Sequence, residues 1–156
     1  MSRTTPATLA LDRAGVAYVL ATYEYDPSAD RIGMQAAHAL GAPPREVLKT
    51  LIVSADGRQA CVVLACDREV AMKRLATALG AKSCEMMASA QAERITGYRV
   101  GGVSPFGQKK RLPTVIDAGA AALPEAFVNA GQRGLQARLA PGDLIRALDA
   151  IVAPVT

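Results

Sequence analysis

The sequence predicts one domain of the α/β (α+β) class, in which helices pack on a mixed β-sheet. Three observations predict this class: helical and strand-like segments are interspersed, one pair of strands is typical of a hairpin, and no repeat or linker divides the chain. The 156 residues are 51% hydrophobic and 21% charged, so the chain can fill a core of its own. We expect residues 1–156 to form a single domain.

The first elements are a helix, a strand and a second helix. Thr5 and Pro6 are a typical N-cap and first-turn pair, which predicts a helix over 6–14. Residues 17–25 are rich in Val, Tyr and Thr and predict a strand. Residues 36–40 form a short helical segment that a glycine and two prolines bring to an end.

A hairpin follows, because two β-rich runs at 47–53 and 59–65 flank Asp56-Gly57, a strong turn pair. Apolar residues at helical spacing predict a helix within 68–79. A short strand near 82–86 and a helix near 89–95 come next.

The last third begins with residues 97–107, which contain too many glycines and prolines for a regular element and predict a shaped loop. Strands are expected at 113–117, 126–129 and 135–139, and a closing helix at 142–148 behind a proline.

Composition excludes several classes of protein. The longest apolar run, Ala60 to Cys66, is far shorter than the roughly 20 residues that a membrane span requires. Asp12 and Arg13 interrupt the apolar residues near the N-terminus, so no signal peptide is indicated. We expect a cytoplasmic protein that does not enter a membrane.

Cysteine and histidine usage argues against disulfides and metals. The three cysteines, Cys61, Cys66 and Cys84, are an odd number in apolar or β-like contexts, which favours buried thiols. One histidine, His38, and the absence of a CxxC pair do not supply a usual zinc ligand set. We expect neither a metal nor another cofactor.

Positive charge concentrates around the glycine-rich loop. The formal net charge is only +4, but no carboxylate occurs between Glu93 and Asp117. Glycines, a serine and cations in one loop favour a phosphate-bearing ligand, while a plain solvent-exposed connection remains the alternative. The basic residues of this stretch are Arg94, Arg99, Lys109, Lys110 and Arg111.

Two familiar chemistries do not fit the residues. Gly102 and Gly107 have the glycine spacing of a nucleotide-binding P-loop, but Gln108 stands where its lysine belongs and a strand follows instead of a helix. A nucleophilic triad would need His38 as base, and nothing in the sequence directs a nucleophile to it. A reaction that requires no strong protein base is therefore favoured.

Lys49 is unusual because it interrupts an apolar strand. Period-two alternation places it on one face with Val47, Leu51 and Val53. Such a lysine either reaches water at a strand end or lines a pocket. In a pocket, its ammonium group could bind a phosphate or a carbonyl oxygen.

These features occur within a longer pattern that resembles the YbaK family of Cys-tRNA(Pro) deacylases, related to the editing domain of bacterial prolyl-tRNA synthetases. The resemblance extends over essentially the whole chain. Its segments are Tyr23-Glu24-Tyr25-Asp26-Pro27, Val47-Leu48-Lys49-Thr50-Leu51, Ser83-Cys84-Glu85-Met86 and, most specifically, residues 96–114 with Gly101-Gly102-Val103-Ser104-Pro105-Phe106-Gly107 at their centre.

The resemblance implies a fold and an active site. Its mixed sheet would be partly curled into a barrel, with helices around it. Lys49 resembles the essential pocket lysine that holds the 3′-terminal adenosine of tRNA near the scissile ester, and Tyr23 and Thr50 resemble its pocket neighbours. The loop that closes over the aminoacyl group would comprise Gly101, Gly102, Ser104 and Pro105, with the first two glycines taking part in catalysis beside Lys49.

The resemblance also implies a mechanism and partners. The thiol of the substrate cysteine can attack its own ester carbonyl, so no protein nucleophile is needed. The protein would act in trans on the acceptor end of mischarged tRNA, beside prolyl-tRNA synthetase, and without a metal. Lys109, Lys110 and Arg111 would contact RNA phosphates, or only solvent.

Three residues depart from the family pattern. Ile32 replaces a phenylalanine, Asn129 with its neighbour Ala130 replaces a Ser-Gly pair, and Gln136 replaces an aspartate or serine. We expect Ile32, Asn129 and Gln136 to face the aminoacyl pocket and to influence discrimination. Deacylation of another small amino acid, or a non-catalytic module that binds tRNA or a synthetase, therefore remains an alternative.

Overall fold

The computed structural model of the protein describes residues 4–29 and 31–156, without the side chains of residues 32 and 33. The helices are α1 (Pro6–Arg13), α2 (Ile32–Leu40), α3 (Met72–Leu79), α4 (Ser89–Thr96), α5 (Ala118–Ala121) and α6 (Pro141–Leu148). The strands are β1 (Val19–Thr22), β2 (Leu48–Ala55), β3 (Arg58–Ala65), β4 (Cys84–Met86), β5 (Thr114–Asp117), β6 (Ala126–Gln132), β7 (Leu135–Leu139) and β8 (Ile151–Ala153). A short 3₁₀ turn, Pro44–Glu46, precedes β2.

The strands form two sheets. One is antiparallel with the order β1-β7-β6, and the other has the order β4-β2-β3-β5-β8. The second sheet is mixed, because β2 pairs antiparallel with β3 and β4, while β5 pairs parallel with β3 and β8. The predicted mixed α/β class is confirmed, but the described strands do not close into a barrel.

One edge of β2 is shared by two partners, and a gap lies between them. Just before β2, Val47 forms a bridge with Phe127 of β6, which joins the two sheets. At the other end of β2, residues 53–55 pair with β4. Within the described chain, residues 48–51 thus have a strand neighbour only on the β3 side. The sheet forks here, and a cleft opens along the middle of β2.

The two faces of β2 contribute to different hydrophobic clusters. Leu48 and Ile52 are buried with residues of α1, β6 and β7, whereas Val53 is buried against α3 and β5, with Leu51 packed beside it. The alternation expected for residues 47–53 is confirmed for residues 48 and 51–53, while Val47 packs in a third cluster with Ala36 and Cys66. Lys49 therefore shares the face that packs toward α3, while Thr50 shares the face of the larger core.

The N-terminal helix is fixed to β6 by its cap. The Thr5 hydroxyl accepts a hydrogen bond from the Thr8 N–H (3.0 Å) and donates one to the Ala130 carbonyl (2.6 Å). The Thr8 hydroxyl in turn accepts from the Thr5 N–H, which completes a capping box. Such a cap is worth about 1 kcal/mol, and here it also ties α1 to the strand beside the cleft.

Some element boundaries differ from those expected. β1 ends at Thr22 because its partner strand begins at Leu135, so the rest of the predicted strand has no ladder to join. α2 starts four residues before the predicted residue 36, at a position whose N-cap, Arg31, provides no side-chain cap. α5, β8 and the 3₁₀ turn were not predicted, because three or four residues are too few to show a period.

Within the described residues, no helix has the length and hydropathy needed to cross a membrane.

Candidate active site

The cleft beside β2 contains a cavity of about 420 Å³. Its floor is the middle of β2, and its walls come from the loop after α4, from β4 with the start of α4, and from β6 and β7. The residues that carry polar groups or charge into the lining are Tyr23, Arg31, Lys49, Thr50, Glu69, Ser89, Asn129 and Gln136.

Lys49 is the cationic side chain at the floor of this cavity. It is half-buried, and the described residues give it neither a salt bridge nor a hydrogen bond. Burial lowers the pKa of Lys49, and the nearby Arg31 lowers it further, while Cys66, Glu69 and Asp67 oppose the shift. An unpaired, partly desolvated ammonium group is suited to bind an anion or a carbonyl oxygen of a ligand.

Three buried polar atoms in the cavity have no hydrogen-bond partner among the described residues. They are the Tyr23 hydroxyl, the Thr50 hydroxyl and the Gln136 side-chain oxygen. Burial raises the pKa of Tyr23, and the Gln136 side chain, which lies close to the Tyr23 hydroxyl but outside hydrogen-bond geometry, partly opposes this rise. An unsatisfied buried polar atom costs about 1–3 kcal/mol. Their clustering beside one cavity marks it as a candidate site for a polar ligand.

Thr50→Val is therefore expected to raise the free energy of unfolding of the unliganded protein by about 1 kcal/mol, because a methyl group replaces an unsatisfied hydroxyl of the same shape. Chemical denaturation measures this change. Thr114→Val is the matched control: Thr114 also lies in a strand and is buried, but its hydroxyl donates to the Leu112 carbonyl at 3.1 Å. This control should lose stability, and a loss of similar size in Thr50→Val would contradict the assignment of an unsatisfied hydroxyl.

Gly101 forms part of the wall that faces β2. Its carbonyl accepts a hydrogen bond from the Asn129 side-chain amide (3.1 Å), and its own N–H has no partner in the described chain. The backbone φ of +91° favours glycine, and a Cβ here would lie 2.6 Å from the Tyr25 hydroxyl. The next amide, that of Gly102, already donates to the Arg99 carbonyl at 2.8 Å. Gly101 thus offers a free amide in this wall.

The structure brings six of the residues singled out in the sequence to the cavity and leaves others away from it. Those in its lining are Tyr23, Lys49, Thr50, Gly101, Asn129 and Gln136. Gly102 lies behind the wall, where a Cβ would be 2.9 Å from the backbone nitrogen of Arg133. Ser104 is fully buried and its hydroxyl accepts from the Phe106 N–H, and Pro105 borders a second cleft. The side chain of Ile32 lies outside the described structure.

The three consecutive basic residues are exposed, and each contacts a different part of the surface. They are Lys109, Lys110 and Arg111. Lys110 donates to the Gln59 side chain at 3.0 Å, and the stem of Lys109 lies against Gly97. Arg111 borders the second cleft together with Arg13. None of the three basic residues is in the lining of the main cavity.

Sequence reasoning missed several residues of the site. Besides Arg31, Glu69 and Ser89 of the cavity lining, two are informative. Cys66, interpreted as a core thiol, is buried but also lines the cavity, where burial raises its pKa. Arg133 stacks on Tyr25 at 4.9 Å and donates to the Val100 carbonyl at 2.9 Å. The glycines near Arg133 in the sequence predict a tight turn at this position. They do not reveal its hydrogen-bond acceptor, Val100, which is 33 residues away in the sequence.

Within the described residues, no three His, Cys, Asp or Glu side chains lie close enough together to hold a metal ion.

Comparison with known proteins gives a consistent result. Residues 26–147 match the family described as aminoacyl-tRNA editing domain. The chain is 34% identical over 136 residues, 86% of its length, to EbsC of Enterococcus faecalis, which carries the provisional name Cys-tRNA(Pro)/Cys-tRNA(Cys) deacylase and is covered to 83%. It is also 25% identical to a proline–tRNA ligase of Geobacillus kaustophilus over 76% of this chain, which corresponds to 23% of the ligase.

The fold is shared with solved structures. One is described as a provisionally assigned trans-editing enzyme for prolyl-tRNA synthetase, with a TM-score of 0.84, 21% sequence identity and 99% coverage of both chains. A second, described as a hypothetical protein, has a TM-score of 0.85 at 24% identity and covers 97% of this chain and 99% of its own.

Proposed function

Because the chain belongs to the aminoacyl-tRNA editing domain family, we propose that it hydrolyses the ester bond of a mischarged aminoacyl-tRNA in trans, with Cys-tRNA(Pro) as its substrate. The observation that carries this proposal is the unpaired Lys49 in a cavity that also contains three unsatisfied polar atoms and the free amide of Gly101. The name of the E. faecalis relative supports the choice of substrate.

The ester of an aminoacyl-tRNA is already activated, so its hydrolysis depends mainly on positioning and on stabilising the developing oxyanion. Lys49 binds the 3′-terminal nucleotide beside the ester, and the Gly101 N–H donates to the carbonyl oxygen as it acquires charge. A preorganised donor of this kind contributes about 100- to 1,000-fold to the rate. Orientation in the cleft supplies a further part of the acceleration.

The cysteine side chain of the substrate is the nucleophile in this proposal. Its sulfur forms a bond to the ester carbonyl carbon, the bond to the ribose oxygen breaks, and the thiol proton ends on that oxygen as the tRNA hydroxyl. Water then opens the cyclic thioester and releases cysteine. No protein nucleophile is required, consistent with the exposed position of His38 on α2.

The tRNA body is contacted by the exposed basic segment Lys109, Lys110 and Arg111, which follows the cavity wall in sequence. Contacts to phosphates add affinity without sequence selectivity and weaken with salt. Selection of tRNA(Pro) is then supplied by prolyl-tRNA synthetase. Similarity to part of a proline–tRNA ligase supports this pairing.

A panel of charged tRNAs tests the proposal. The protein is incubated with Cys-tRNA(Pro), Cys-tRNA(Cys), Ala-tRNA(Pro) and Pro-tRNA(Pro), and loss of the labelled amino acid is followed against a protein-free control. We expect rapid loss of cysteine and retention of proline. Loss of alanine alone would identify a deacylase for another small amino acid. Binding of tRNA or synthetase without ester loss across the panel would identify a non-catalytic module.

A further inference from the structure

The cavity wall at Gly101 is held from behind by the turn that joins β6 to β7. The Arg133 Nε atom donates to the Val100 carbonyl at 2.9 Å, and the Asn129 amide donates to the Gly101 carbonyl at 3.1 Å. The backbones also meet directly, since a Cβ on Gly102 would lie 2.9 Å from the Arg133 nitrogen. Two successive carbonyls of the wall are thus bound by one side chain of β6 and one of the turn that follows it.

Both of these side chains make further contacts that fix their orientation. The Asn129 side-chain oxygen accepts from the N–H groups of Gly131 (2.7 Å) and Gln132 (3.1 Å), at a point where the β6–β7 register shifts. The guanidinium group of Arg133 stacks on the Tyr25 ring at 4.9 Å. A cation over an aromatic face is held in orientation as well as attracted.

These bonds determine the direction of the free amide. All described peptide bonds are trans, so the Gly101 N–H points opposite to the Val100 carbonyl of the same peptide unit. Since that carbonyl points to Arg133, the N–H points away from the turn. The preceding amide is also committed, because the Val100 N–H donates to the Glu93 carboxylate at 2.8 Å. Gly101 lines the cavity, and its N–H has no partner among the described residues, so it is a donor available to a ligand.

We propose that Asn129 and Arg133 are positioning residues of the deacylation site, which clamp the carbonyls of Gly101 and Val100 so that the Gly101 N–H faces the ester. This inference rests on the proposed function. In this inference Asn129 supports the cavity wall and does not contact the amino acid. Arg133 joins the site as a second supporting residue, although it does not line the cavity.

Asn129→Asp and Arg133→Met test the clamp. The aspartate keeps the oxygen that accepts from the turn but places a second oxygen against the carbonyls of Gly101 and Gln132. The methionine keeps most of the aliphatic stem without the donor. Each variant should lower kcat for Cys-tRNA(Pro) by about 10- to 100-fold, the effect of a small misplacement at a reacting centre. KM should stay within about twofold, because ground-state binding does not use this amide.

A double variant and a surface control separate positioning from a general structural effect. Because both side chains orient the same Gly101 N–H, the kcat of the double variant should be little lower than that of the more impaired single variant. Arg138→Met removes an arginine of β7 whose partner is the exposed Glu125, and it should keep its kcat. Arg133→Lys, which retains charge and stem, should still lose at least about 10-fold in kcat and serves if Asn129→Asp does not fold.

Wild-type kcat in a folded clamp variant, or a double variant whose loss is the product of the two single losses, would overturn the inference. Absence of turnover by the unaltered protein on every charged tRNA is a different result. It would contradict the proposed function, and this assignment with it.

Discussion

Lys49→Met is expected to lower kcat/KM for Cys-tRNA(Pro) deacylation by about 100- to 1,000-fold, the range observed when one charge-stabilising group is removed from an active site. Methionine retains the length of the side chain and removes the ammonium group. Because the lysine is half-buried with no partner in the described chain, its removal should not destabilise the protein. Initial rates of deacylation and a thermal unfolding curve measure the two effects.

Lys73→Met is the matched control for this change. Lys73 is exposed on α3 and does not line the cavity. It should keep the wild-type rate. If Lys49→Met also keeps that rate, Lys49 has no catalytic role, and if Lys49→Met unfolds at a clearly lower temperature, its ammonium group is structural.

The lowered pKa of Lys49 also predicts a pH dependence. If activity needs the ammonium form of Lys49, the deacylation rate should decline with rising pH, and the decline should begin below the pH at which an ordinary lysine titrates. Spontaneous ester hydrolysis is subtracted from each rate. Between the folded and unfolded pKa values the unfolded chain binds more protons, so stability should rise with pH in that window. Lys49→Met should abolish this rise. If the free energy of unfolding of Lys49→Met rises equally with pH, the rise comes from the titration of another group.

Lys49 shows how far the sequence alone could lead. A lysine at alternating spacing within an apolar strand indicated either a strand end or a pocket. The choice between them depends on the bridge from Val47 to Phe127, which is 80 positions distant and places β6 beside the start of β2. Local patterns predicted every strand except β8 and most helices, but not the fork in the sheet that opens the cleft.

The glycine-rich loop shows the same limit at the scale of single residues. Its composition predicted a ligand-binding segment, and Gly101 does line the cavity. Composition could not distinguish Gly101 from Ser104, whose hydroxyl is used by the loop itself, or from Pro105, which borders another cleft. The direction of each backbone amide follows from bonds to distant residues such as Asn129, and these are not local properties of the sequence.

Gly101→Ala is expected to reduce kcat by at least about 100-fold, because it moves the donor proposed to stabilise the oxyanion. At φ +91° an alanine is strained, and its Cβ would lie 2.6 Å from the Tyr25 hydroxyl, so either the wall or the tyrosine must shift. The strain should lower the free energy of unfolding by about 1–2 kcal/mol. Single-turnover deacylation and chemical denaturation measure the two effects separately.

Gly57→Ala separates strain from catalysis, because Gly57 has a similar φ of +80° in the β2–β3 turn and open space around its Cβ position. This control should lose comparable stability and retain its activity. Tyr25→Ala added to Gly101→Ala should not restore the rate: removing the clash leaves the strained φ, and it also removes the ring on which Arg133 stacks. Recovery of the rate in that double variant would show that the clash alone matters, and wild-type activity in Gly101→Ala itself would exclude the Gly101 amide from the reaction.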